Sequence, residues 1–164
     1  MSSLSDIRLE VFTDAAFGNL HDGGSRGGYL IFVSDGLRSA PLDWSSHRLK
    51  RVARSTLAAE AQALLDGISG AMYYRQLLME IGNLEKPPQV ICYSDCKSLV
   101  ESSQTTNVTK EKRLRIDLAL IRESLERGEI TIQWVNTKSQ LADSLTKGGV
   151  STGLLKDVLK RGSL

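Results

Sequence analysis

An α/β domain is predicted, with a mixed five-stranded sheet of three antiparallel strands and then two parallel ones, flanked by helices on both faces. Runs of strand-forming residues joined by short polar turns open the chain, a long apolar period of helical spacing follows, and strand and helix signals then alternate. Strands joined by short turns pair antiparallel. Strands joined through helices add in parallel with right-handed crossovers, so this order specifies the mixed sheet. With 164 residues and 41% apolar content the chain suits one domain, 1–164, with a core from about 7 to 147 and a C-terminal tail over 148–164.

Residues 7–12 (IRLEVF) form the first strand, which runs into Thr13-Asp14. Residues 19–28 are a glycine-rich polar turn, 28–33 (GYLIFV) the second strand, Asp35-Gly36 a hairpin turn and 40–44 the third strand. The segment HRLKRVAR gathers Arg48, Lys50, Arg51 and Arg54, the densest positive charge in the chain. Ser55 or Thr56 caps a helix over 56–81, which passes through Gly67 and Gly70 because the apolar period continues to Leu78; Gly82-Asn83 ends it. Beyond Pro87-Pro88, residues 90–93 are a short buried strand ending at Ser94-Asp95. A short helix over 97–103, a polar loop (SQTTNVT), a helix over 110–127 stopped by Gly128, and a strand over 130–135 follow. Residues 140–147 are a short helix carrying Asp143, and LLKDVLK in the tail supplies an amphipathic turn or two. Trp44 and Trp134 fall in strands and are expected in the core.

The net charge of +2 permits a polyanionic partner without demanding one, since local clustering of charge counts for more than the total. The start, MSSLSDI, has neither the basic region nor the apolar run of a secretory signal, and no stretch approaches the roughly 20 apolar residues of a membrane span. The protein is expected to be soluble and intracellular, with no membrane partner. Cys92 and Cys96 are too few for a disulfide framework or a zinc site and are read as reduced thiols.

The chemistry is sought among acids. On a helical period Leu57, Ala61, Leu64, Leu65 and Ile68 share a face, and Glu60 falls on that face. A carboxylate at the edge of an apolar stripe is costly unless compensated, and a bound cation is a good compensator. Asp14 on the first strand, Asp95 after the fourth and Asp143 on the short helix could meet it, because the ends of adjacent central strands converge. Singly, an aspartate after a strand is more often a turn former or a helix cap. Jointly, four acids without a suitably placed thiolate or imidazole describe a hard oxygen site suited to magnesium or manganese. Two such ions about 4 Å apart can activate a water and stabilise the leaving oxygen of a phosphoryl displacement.

The segments FTDAAFG, GGYLIFV, LDWSS, VARSTLAAEA, CYSDCKSLV, IRESLERGEI and QLADSLTK, in this order, resemble the ribonuclease H domain of copia-type retrotransposon polyproteins over nearly the whole chain. The resemblance implies a ribonuclease H-like fold, a metal-binding tetrad of Asp14, Glu60, Asp95 and Asp143 holding two magnesium ions (or manganese), and cleavage of the RNA strand of an RNA:DNA hybrid to leave 5′-phosphate and 3′-hydroxyl ends. It also implies the reverse transcriptase domain of the same polyprotein as a partner, and a cytoplasmic (retroelement particle) or nuclear location. The chain departs from the pattern at Ala58, where the copia elements usually have a further acid, and at Cys96, where Asn commonly follows the third acid. The loop Asn136-Thr137-Lys138-Ser139 lacks the His of cellular ribonucleases H, which implies modest turnover; His21 and His47 lie in polar segments and are not expected to replace it.

Similar enzymes hold the DNA-strand phosphate near the start of the central helix, where Arg54, Ser55 and Thr56 offer charge, hydroxyls and helix N-terminal amides; Ser55 and Thr56 would serve equally as caps alone. Lys97, Lys110, Lys112, Arg113 and Arg115 could line the backbone path. Two further readings share the fold: a nuclease with another substrate, and a catalytically weak connector or nucleic-acid-binding module of a reverse transcriptase.

Overall fold

The computed structural model describes residues 7–106 and 109–164, so the predicted polar loop lies outside the described residues at Asn107 and Val108. Strands β1 (Arg8–Ala16), β2 (Arg26–Ser34) and β3 (Ser39–Arg48) come first, then helix α1 (Thr56–Gly82), strand β4 (Gln89–Ser94), helices α2 (Lys97–Gln104) and α3 (Lys112–Glu126), and strand β5 (Ile130–Trp134). A 3-10 turn at Thr137–Ser139 leads to the short helix α4 (Asp143–Thr146), and α5 (Gly153–Arg161) closes the chain. The sheet has the order β3-β2-β1-β4-β5, with β1, β2 and β3 antiparallel and β4 parallel to both β1 and β5, as the order of signals predicts. Among the described residues no helix is long and apolar enough to cross a membrane.

Side chains alternate along β1 between two packed layers. Leu9, Val11 and Ala15 join the larger core with Ile31, Leu64, Ile68, Val90 and Leu118, beneath α1 and α3. Phe12, with Leu30 and Phe32, faces the opposite way and packs with Leu141, Ala142 and Val158, so the C-terminal residues carry a helix that covers this second face. The Gly162 carbonyl accepts a bond from the Ser39 amide at 2.7 Å, tying that helix to the start of β3.

Three expectations are corrected. Trp44 (63% exposed) and Trp134 (44% exposed) are not core residues, because β3 and β5 are the sheet edges. The predicted helix over 140–147 is helical only from Asp143, because Gln140 is buried and uses its side chain to bridge other strands. In α1, Leu57 and Leu65 are only half-buried. The deepest positions include the small residues Ala59, Ala63, Gly67 and Ala71, each four apart, which let the helix lie close on the sheet. Ser55 caps the helix, its Oγ accepting the Ala58 amide at 3.1 Å, and Asn83 ends it in the left-handed region at φ 45°.

The close seat of α1 depends on Gly67. A Cβ there would lie 2.6 Å from Thr13 Cγ2 and 3.1 Å from Val11 Cγ1, on the strand that carries Asp14. Gly67→Ala should therefore destabilise the protein, although alanine alone favours a helix by about 1 kcal/mol: overpacking costs about 1–3 kcal/mol, and the urea midpoint should fall. A raised midpoint would show that α1 can lift from β1 without loss.

Candidate active site

Asp14 pairs across to Gly28 of β2, and Asp95 is the first residue after β4. β1 and β4 run parallel with Phe12 opposite Tyr93, so both acids stand two residues beyond the same rung. Asp14 shares the parity of Phe12, toward α4 and α5, whereas Glu60 arrives in α1 from the other layer; they meet at the end of the sheet. Carboxylate oxygens of Asp14, Glu60 and Asp95 all lie within 4.8 Å of one another. They line a cavity of about 460 Å³ with Phe17, Thr56, Cys96 and Lys147.

Burial governs the electrostatics. Desolvation pushes the Glu60 carboxyl up to about 9, with Asp14 and Asp95 adding to the rise, while the Ala15 amide, which donates to Oε1 at 3.3 Å, and Lys147 oppose it. Its other oxygen, Oε2, is buried without a hydrogen-bond partner among the described residues. Asp14 is pushed up to about 6 by burial, held back by the Thr146 hydroxyl, which donates to Oδ2, and by Lys147. Gly28 makes room for the segment that carries Thr146: a Cβ there would lie 3.0 Å from Leu145 Cβ and 3.1 Å from Thr146 Cγ2.

The fourth predicted acid stands apart from the three. Asp143 Oδ1 is paired with the Lys147 ammonium, which also lies 3.7 Å from Asp14 Oδ2. Asp143 is close enough to Asp14 to raise its carboxyl, but among the described residues the cluster within 4.8 Å contains only the other three.

Four groups whose contacts sequence reasoning missed hold this end of the sheet. Gln140 donates from Nε2 to the carbonyls of Thr13 at 3.0 Å and Tyr93 at 3.4 Å, and its Oε1 accepts the Ala142 amide at 3.2 Å. It stitches together β1 and β4 one residue before Asp14 and two before Asp95. Thr146 and Lys147 follow Asp143 by three and four residues, a helical spacing that could have flagged both. Trp134 donates from Nε1 to the Asp95 carbonyl at 3.1 Å.

The predicted substrate-binding residues are dispersed. Thr56 lines the acidic cavity; Arg54 is exposed beside it in sequence, and Ser55 is engaged as the helix cap. Lys97 lies over the exposed Trp134 ring, 4.9 Å from its centroid. Lys110, Lys112 and Arg113, with Arg115, are exposed at or near the start of α3, and none lines the cavity. Much of the basic segment before α1 is occupied: Arg48 pairs with Asp22, Arg51 reaches both oxygens of Asp117 at 2.8 Å, and His47 Nε2 lies 3.0 Å from Asp66. A second cavity, of about 420 Å³, lies between the sheet and α5. The buried carboxylate in it, Glu10, is already held by Arg8 at 2.7 Å and the Tyr93 hydroxyl at 3.1 Å.

No family model matches the chain. The retrovirus-related Pol polyprotein from transposon RE1 of Arabidopsis thaliana is 30% identical over 143 residues, 86% of this chain, and the chain spans only 9% of that relative's length. Among solved structures, LC11-RNase H1 in complex with an RNA/DNA hybrid superposes with a TM-score of 0.61 at 22% identity, covering 85% of this chain and 94% of that one. The foamy viral protease-reverse transcriptase in complex with an RNA/DNA hybrid gives a TM-score of 0.53 at 15% identity, covering 89% of this chain and 20% of that one. Fold and sequence relatives together identify the chain as a ribonuclease H-fold domain of the kind carried by copia-type retrotransposon Pol polyproteins.

Proposed function

We propose that this chain is a metal-dependent endonuclease that hydrolyses the RNA strand of RNA:DNA hybrids, as the ribonuclease H part of a retrotransposon reverse transcriptase. The cluster of Asp14, Glu60 and Asp95 at the end of the central strands carries this reading. The donor set is all oxygen, and a buried carboxylate oxygen, Glu60 Oε2, lacks a hydrogen-bond partner among the described residues; both fit a hard divalent cation such as magnesium or manganese. Two ions held by Asp14, Glu60, Asp95 and Asp143 would supply an activated water and neutralise charge at the scissile phosphate. The protein supplies fixed seats for them: Thr146 orients Asp14, the Ala15 amide orients Glu60, and Gln140 sets the spacing of the two strand ends.

The hybrid as substrate is supported by the relative of the same fold solved with an RNA/DNA hybrid. A polymerase partner is supported by the Pol relatives and by the pairing of Arg48 and Arg51 with acids, which leaves less of the basic segment to hold a polyanion unaided.

Two measurements test the reading. An end-labelled RNA:DNA hybrid, the matching RNA and DNA duplexes and a DNA junction are incubated with the protein in magnesium, manganese or chelator. Only the RNA strand of the hybrid should be cut, chelator should stop it, and Asp95→Asn should reduce cutting to the uncatalysed background while keeping the fold. Faster cutting of the junction would favour another substrate, and tight binding of hybrid without cutting would favour a connector role. The second measurement follows from the carboxyl groups pushed up to about 6 at Asp14 and about 9 at Glu60. The ionised forms bind the cation, so affinity should rise with pH through this range, and binding at neutral pH should release protons, chiefly from Glu60. Calorimetry in buffers of different ionisation enthalpy reads that release; none would show that Glu60 is already ionised.

A further inference from the structure

The Lys147 ammonium bridges two acids that come from different parts of the fold. It pairs with Asp143 Oδ1 on its own helix and lies 3.7 Å from Asp14 Oδ2 on the central strand. It also lines the cavity formed by Asp14, Glu60 and Asp95. Positive charge is therefore already delivered to the edge of the acidic cluster by the chain itself, on a flexible four-carbon stem that is 40% exposed and free to swing toward water. Asp143 is the acid that stands outside the cluster of three, and Lys147 is its partner.

We infer that Lys147 is a resident counter-ion which competes with a divalent cation for Asp14 and Asp143, and whose displacement lets Asp143 join the other three acids. The inference rests on the metal-binding reading of the acids and adds a regulatory term to it. The ammonium takes one oxygen of each carboxylate, Asp14 Oδ2 and Asp143 Oδ1, and a divalent ion on the same two groups is repelled by it. The Lys147 contacts therefore oppose metal entry, and the apparent affinity is reduced by the fraction of molecules in which those contacts are closed. The side chain thereby sets the metal concentration at which the site fills, and it balances Asp14 and Asp143 until then.

The test is a manganese titration of the whole chain without nucleic acid, with free Mn²⁺ read by its electron paramagnetic resonance signal. Lys147→Met and Lys147→Gln, which remove the charge while keeping similar length, should lower the Mn²⁺ midpoint by about tenfold. Lys147→Arg should stay near wild type, as should Lys138→Met, a loss of exposed charge on the neighbouring 3-10 turn that controls for net charge. Far-UV circular dichroism confirms that each variant is folded, and the two neutral variants guard against loss of either one. An unchanged or raised midpoint in the neutral variants, beside clear uptake by wild type, would overturn the counter-ion role and leave the metal site standing. Failure of wild type to take up Mn²⁺ at all would overturn the metal reading, and this inference with it.

Discussion

Three carboxylates whose oxygens lie within 4.8 Å of one another repel, and two of them, Asp14 and Glu60, have almost no water around them to screen the repulsion. The surrounding structure is arranged to bear that cost. The Thr146 hydroxyl and the Lys147 ammonium relieve Asp14, the Ala15 amide relieves one oxygen of Glu60, and the remaining oxygen of Glu60 has no hydrogen-bond partner among the described residues. Protonation of the buried pair is the other outlet: burial first, and the neighbouring acids after it, push both carboxyls upward. A site built this way is poorly satisfied by protein alone and well satisfied by added positive charge.

The cost is tolerable because the cluster sits on rigid supports from both layers of the fold. Asp14 lies within the central strand, bonded on one side to β2 and adjacent to β4 on the other. Glu60 is locked by the close seat of α1, where Gly67 lies against Thr13 and Val11. α4 is held to the opposite face by Leu141 and Ala142 in the second core cluster. The acids thus approach from β1, α1, the end of β4 and α4, and their mutual distances are set by packing of the layers, more than by the geometry of any one loop.

Much of this was legible in the sequence, for identifiable reasons. Strand order follows from turn lengths and crossover rules, and the register of β1 with β4 places Asp14 and Asp95 level because the two strands are adjacent and parallel. Glu60 stood out as a charge on an apolar face. The supporting groups did not stand out, since a glutamine, a threonine and a lysine in a polar segment look like solvated surface until tertiary contacts give Gln140 two carbonyls and Thr146 a carboxylate. The density of the basic segment is visible in sequence, but its acidic partners, Asp22, Asp66 and Asp117, are scattered along the chain and become visible only in the fold. The tryptophans misled because strand membership says nothing of whether a strand is central or at an edge.

Gln140 has a consequence for how this part of the chain can diverge. Its carboxamide offers a donor and an acceptor, as a peptide group does, and acts as an extra rung at the point where β1 and β4 separate. The anchor lies near the end of the β5–α4 connection, so the position of Asp143 is referenced to the sheet and is insulated from the path taken by residues 135–139. Insertions or deletions in that connection would reshape the rim of the site while leaving the seat of its last acid in place. Such a loop can drift in length and composition, and so tune what approaches the site, without disturbing the register of the acids behind it.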